Sequence, residues 1–263
     1  MKRFTFKKIA VIGVLLAAFP CSARAAFSPM ERVLPNSHGK SITTPVAWGA
    51  AYGTMFIGVG GTSPAPYANG TDGGAAVGFG IGNPVRHVGL QASVASLDLS
   101  EWDRFSLNLH LHRYLGSASS IAVGVENITI AGADETDSDE SFYVVFSKGV
   151  LDSSLINEVT NTTKLHYSIG VGSGRFGEKS PSDIAAGKSK HGTYVFGNVA
   201  YELFGQFNLV SDWNGVNLNA GISKTFSINS TLPVVITIGA ADLTDNSGDG
   251  VRLVGGIGTG FRL

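Results

Sequence analysis

From Val46 onward, apolar and polar residues alternate with a period of two over almost the whole chain. This spacing sends successive side chains to opposite faces of a β-strand. In 105–111 (FSLNLHL), Phe105, Leu107, Leu109 and Leu111 point one way, while Ser106, Asn108 and His110 point the other and His112 extends the polar row. Segments 164–171 (KLHYSIGV) and 216–223 (VNLNAGIS) repeat the pattern. Marking every such run predicts strands at 46–59, 73–82, 86–98, 104–115, 120–130, 141–150, 163–172, 193–204, 206–213, 215–226, 233–241 and 250–263. Only 180–190 (SPSDIAAGKSK) reads as a helical turn, within the longest connection.

Most of these runs are about 9–13 residues long, the length a tilted strand needs to cross a bilayer. Soluble strands average nearer ~5–6 residues. The connections alternate in character. Those at 60–72, 131–140, 173–192 and 242–249 are long and rich in Gly, Ser, Asp and Pro, whereas Asn83-Pro84-Val85, Gly116 to Ser119, Gly205 and Asn229 to Leu232 are short. Long loops on one side and tight turns on the other predict an all-β fold: a transmembrane antiparallel up-and-down β-barrel of about 12 strands. The connection 151–162 and the short ones near Trp102 and Trp213 break the alternation.

Composition supports this fold. The 263 residues are 43% apolar and 15% charged, with 35 glycines. No apolar stretch beyond the first two dozen positions approaches the ~18 residues of a membrane-spanning helix. Without a basic stripe to neutralise phosphates, nucleic-acid binding is excluded. Residues 1–25 have the form of a cleaved signal peptide: Lys2, Arg3, Lys7 and Lys8, then apolar Ile9 to Phe19, then Ala23-Arg24-Ala25. Its removal takes the single cysteine, Cys21, and leaves an acidic chain that no disulfide staples. Residues 26–45, polar and aperiodic, read as a periplasmic N-terminal lead-in, and 46–263 as the barrel.

Two units align at an offset of 111: 100–109 (SEWDRFSLNL) and 211–220 (SDWNGVNLNA). On these features, and over most of 46–263, the chain resembles a Gram-negative outer-membrane β-barrel. The acidic-Trp turn leading into an N-x-G strand is similar to barrels associated with exopolysaccharide export. The resemblance implies a monomer in the cell outer membrane, inserted by the barrel assembly machinery and in contact with outer-membrane lipid and lipopolysaccharide. It also implies envelope export partners as one option. The end Gly260-Phe261-Arg262-Leu263 departs from the terminal aromatic such barrels carry.

Alternation assigns the faces. Lumen-lining candidates are Asn108, His110, His112, Glu126, Lys164, His166, Glu202, Gln206, Asn208, Asn217, Asn219 and Arg252. Candidates for an aromatic girdle at headgroup depth are Trp48, Tyr52, Trp102, Tyr114, Trp213 and Phe261. Glycines leave room in the lumen and at the turns. The chemistry beyond this is sparse. His110, His112 and His166 form no H-E-x-x-H, and no G-x-S-x-G or cysteine ligand occurs. Outer-membrane phospholipases resemble the chain in size and strand count, but their His-x-Ser-Asn-Gly type of motif is absent. No catalytic residue, metal or cofactor is assigned. The acidic run Asp134 to Glu140 and the segment Asp242 to Asp249 read as solvated external loops. The expected function is a narrow porin-like channel for small polar solutes or a barrel component of an export system. The alternatives are an enzyme acting on lipid or glycan, and a structural or adhesive barrel using its acidic loops.

Overall fold

A computed structural model describes residues 39–65, 70–96, 99, 104–132, 140–228 and 232–263. The signal-peptide region, the first part of the lead-in, Trp102 and most of the Asp134 to Glu140 run lie outside them. Twelve antiparallel strands close into one barrel: β1 (Thr54–Ser63), β2 (Asp72–Gly82), β3 (Gly89–Ser96), β4 (Phe105–Gly116), β5 (Ser119–Ala131), β6 (Ser141–Gly149), β9 (Leu165–Gly172), β10 (Val195–Phe204), β11 (Phe207–Trp213), β12 (Leu218–Ile228), β13 (Leu232–Ala241) and β14 (Arg252–Arg262). Each strand pairs with its sequence neighbours, and β1 pairs with β14 from Thr54↔Arg262 to Ser63↔Leu253. Closure satisfies every edge, as a strand wall in hydrocarbon requires. A small hairpin, β7 (Ile156–Asn157) with β8 (Thr162–Thr163), occupies the connection between β6 and β9.

The connections define two ends. The loop end carries 64–71, 97–104, 132–140, 173–194, 214–217 and 242–251; the turn end carries 83–88, 117–118, 150–164, 205–206 and 229–231. The helical turn appears as α1 (Pro181–Ala186), capped by the Ser180 hydroxyl accepting from the Asp183 amide and stopped by Gly187 at φ 65°. Lys188 clamps this loop to the β13–β14 connection through Asp249, and that hydrogen bond raises the Lys188 pKa from its ordinary value.

The outer face is apolar and exposed, with Ile57, Val77, Ile169, Leu209, Ile238, Leu253 and Ile257 standing out from the wall. Such a belt is unfavourable in water and suited to acyl chains. A shallow hollow of about 600 Å³ between Leu109, Leu111, Val123, Val144 and Val171 belongs to this outer surface.

The expected first strand, 46–59, is divided by the structure. Only its second half is strand, and residues 39–51 run inside the barrel before the chain emerges at Tyr52. Ala47 has no exposed surface; its amide donates to Ser147 Oγ at 2.7 Å and its carbonyl accepts from Ser120 Oγ at 2.8 Å. The periplasmic reading of 26–45 therefore fails for residues 39–45, and the reading of 46–53 as barrel wall fails too. Alternation in 46–53 is imitated by small residues, Ala47, Gly49 and Ala51, that fit close against a wall. No neighbouring strand pairs with them.

Candidate functional site: a plugged lumen

The internal segment is a hairpin of its own. It starts near the turn end, where Lys40 Nζ donates to Asn208 Oδ1 on β11. It turns at Ser41–Thr44, with the Thr44 amide donating to Ser41 Oγ at 3.0 Å and Ser41 Oγ to the Thr44 carbonyl at 2.5 Å. It then descends past Ala47 to the turn end, where the Tyr52 amide donates to the Gly82 carbonyl at 2.9 Å and β1 begins.

Asp212 on β11 holds the tip. Its Oδ2 accepts from the Ile42 and Thr43 amides at 2.9 and 2.8 Å and from Ser41 Oγ at 3.3 Å; Oδ1 accepts from Thr43 Oγ1 at 3.1 Å and Asn219 Nδ2 at 2.6 Å. A buried carboxylate needs such donors, and two backbone amides converging on one oxygen form a local anion nest. Asn198 Nδ2 adds a bond to Thr44 Oγ1 at 3.0 Å. From the loop end, Arg175 reaches down: its Nη2 donates to the Thr43 carbonyl at 3.0 Å and its Nε to Glu126 on β5 at 2.7 Å. Phe176 beside it is fully buried, stacked on Phe196 at 4.3 Å between centroids. Gly172 makes this possible, since a Cβ there would sit 2.5 Å from the Phe176 ring.

The histidines support the descending limb. His110 and His112 stack at 5.2 Å, and a Cβ on Gly49 would lie 2.8 Å from both rings. His110 Nδ1 bonds to the Tyr143 hydroxyl at 2.7 Å, and His166 Nε2 to Thr163 Oγ1 at 2.6 Å. Among the described residues no three His, Cys, Asp or Glu converge into a metal site.

The structure separates the lumen candidates. Asn108 accepts from the Asn127 amide at 2.9 Å, and His110, His112, His166, Glu202, Asn208 and Asn219 are buried against the internal segment or its anchors. Asn217 lies in the β11–β12 connection and ties it to Asp242 and Ser247. Arg252 donates through Nε to Asp242 at 2.6 Å. Two further candidates sit off the wall strands, at the turn end. Lys164 precedes β9 beside a turn-end hollow, and Gln206 occupies the β10–β11 turn at φ 63°. Alternation carried past the end of the strand points both inward, where no strand remains to hold them.

Of the girdle candidates, Trp48 is inside, edge-on to His166 at 5.6 Å, which removes it from any girdle. Tyr52 and Phe261 are exposed near the turn end. The Tyr114 hydroxyl accepts from the Ala118 amide at 3.1 Å in the β4–β5 turn, and Trp213 Nε1 donates to Thr193 Oγ1 at 3.0 Å near the loop end. Sequence reading missed Lys40, Asp212, Arg175 and Tyr143. Asp212 had a signal, because it shares the inward row of β11 with Asn208 and Val210.

Beside the plug a cavity remains in the lumen. The inner wall formed by β13, β14, β1, β2 and β3 is built of Gly58, Gly60, Gly74, Ala76, Gly256 and Gly258 together with other small residues. Cross-strand pairs Gly58↔Gly258 and Gly60↔Gly256 place glycine opposite glycine at the closing seam. Between this wall and Ser41–Ile42 lies a cavity of about 570 Å³. Nearer the loop end, the next inward pair, Thr62↔Asp72, belongs to a second, polar cavity of about 290 Å³ that includes Arg175, Asp242 and Arg252.

These features define a class: a closed twelve-strand transmembrane barrel whose lumen is partly filled by its own N-terminal segment. No family model matches the chain, and no curated protein matches it. Among solved structures it is similar to the KdgM porin in complex with disordered oligogalacturonate, at 9% identity and TM-score 0.47, over 80% of this chain and 99% of that one. It is also similar to outer membrane phospholipase A from Escherichia coli, at 11% identity and TM-score 0.44, over 81% of this chain and 98% of that one. The calcium-bound phospholipase dimer from Salmonella typhi follows at 10% identity and TM-score 0.43, over 81% and 91%.

Proposed function

We propose that the protein is an outer-membrane channel for small polar solutes, in which the N-terminal plug reduces a twelve-strand lumen to a lane along β13, β14, β1, β2 and β3. The observation that carries this reading is the cavity of about 570 Å³ between the glycine and alanine wall and Ser41–Ile42. An empty lumen of this strand number would be wider than eight-strand barrels filled by side chains and narrower than open porins. The plug fills the polar half and leaves the small-residue half free. Above the lane, the charged cavity offers hydrogen-bond partners to a hydrated solute at the mouth. The outer membrane as location rests on the signal-like N-terminus, the apolar belt and the unequal ends. Insertion by the barrel assembly machinery and contact with lipopolysaccharide go with that location. The buried histidines favour a packing role over hydrolysis, since Thr163 and His166 are both fully covered.

The test is single-channel recording of the purified protein in planar bilayers. Small, discrete openings are expected, with a conductance well below that of open porins. Complete absence of discrete current under all voltages would remove the channel reading.

A further inference from the structure

The polar cavity of about 290 Å³ stands at the loop-end mouth of the lane. On β1 and β2 the inward pair Thr62↔Asp72 comes next beyond Gly60↔Gly74, and Arg252 continues the inward row of β14 past Gly256 and Val254. A solute entering from the loop end therefore meets these side chains before the small-residue wall. Most of the cations here are already paired. Arg175 Nε donates to Glu126 at 2.7 Å, and Arg252 Nε to Asp242 at 2.6 Å. Lys188 stands between Asp249 and Asp183, two carboxylates whose side chains are 5% and 6% exposed. Lys179 and Lys190 bond to loop oxygens and do not line the cavity.

Two carboxylates of the cavity have no such cation among the described residues. Asp72 Oδ1 accepts from the Gly73 amide at 2.7 Å and forms no ion pair, and Glu178 is exposed. Five carboxylates and two guanidiniums line the cavity, a surplus of three negative charges. Glu126 and Lys188, bonded from outside the lining, add one charge of each sign and leave that surplus unchanged. Surplus charge in a narrow opening with low-dielectric walls focuses its field, concentrates ions of opposite sign and repels the others.

We propose that this mouth selects cations, so that the solutes admitted to the lane are small organic cations such as primary amines, with Asp72 setting the preference. This rests on the channel reading above. Asp72 outweighs Glu178 because it is half-buried in the inward row, two residues from Gly74 of the lane, whereas water screens the exposed Glu178. Arg252 does not reverse the sign, since Asp242, with 4% of its side chain exposed, already holds its guanidinium. The hydroxyls of Thr62, Ser189 and Ser247 line the same cavity and can replace part of the hydration shell of an ammonium group.

The experiment measures reversal potentials of the purified protein in planar bilayers, across a potassium chloride gradient and again across an ethanolammonium chloride gradient. Both should have the sign of cation permeation. Cations should be favoured several-fold over chloride near ~0.1 M salt and less near ~1 M, where the Debye length falls from ~10 to ~3 Å. Asp72→Asn, which keeps the side-chain shape, should move both potentials toward zero, and Asp72→Lys should remove or invert the preference. Glu158→Gln, in the turn-end hollow, should leave it unchanged. Heat-modifiable migration reports folding for every variant. Current with no preference, or with a preference for chloride, would overturn this inference and leave the channel standing; absence of current would remove both. Unchanged potentials in the two folded Asp72 variants would overturn the role given to Asp72.

Discussion

Asp212→Ala is expected to raise single-channel conductance several-fold. The substitution leaves the Ile42 and Thr43 amides, two plug hydroxyls and the Asn219 amide group without the acceptor that gathers them. An orphaned buried donor costs about 1–3 kcal/mol. Four of these five donors belong to the plug tip, so the cheapest relief is for the tip to leave. The wall does not share the loss, because the backbone pairing of β11 with β10 and β12 is independent of the Asp212 side chain. Arg175 and Asn198 still hold the tip on two sides, so openings should be larger but intermittent. Asp212→Asn keeps one acceptor oxygen and should fall between. Recordings of the three proteins in the same bilayer decide it; equal conductance in all three would mean that Asp212 does not hold a restriction.

The second large effect runs the other way. Ala76→Trp should abolish most of the current while leaving the barrel folded. Ala76 lies between Gly58 on β1 and Ala95 on β3, all three facing the lane. Because a Cβ is already there, the indole extends into the cavity without meeting backbone. An aromatic side chain of this size buries ~150–250 Å² and would fill much of the cavity proposed as the pathway. Ala92→Trp, on the outward row of β3 opposite Phe79, is the matched control and should conduct normally. Heat-modifiable migration on gels reports folding for both. Unchanged current through Ala76→Trp, with folding intact, would place the pathway elsewhere.

The strand period made the barrel legible. Twelve runs marked by alternation correspond to twelve wall strands, since each face meets a different solvent and the sequence must record the difference. Boundaries failed where polarity outlasted pairing, at Lys164 and Gln206. The plug was illegible for a physical reason. Its side-chain anchors join residues 41 to 184 positions apart, at irregular intervals. Nothing local in Ser41-Ile42-Thr43-Thr44 separates a luminal turn from a periplasmic one. Trp48 was misplaced for the same reason, as an aromatic near a strand start suits a girdle and a lumen equally. Asp212 belongs to the repeated S-[DE]-W unit, in which the acidic residue and the tryptophan point to opposite faces.

The residence of the N-terminal segment inside the barrel is the claim on which the rest depends. It is tested most directly by cysteines at Ala47 and Ser147, where the Ala47 amide lies 2.7 Å from Ser147 Oγ. Purified from membranes, Ala47→Cys and Ser147→Cys thiols should both resist a maleimide reagent until the barrel is unfolded, since both positions are fully buried. Two free thiols, both labelled at the rate of an unfolded control, would contradict it.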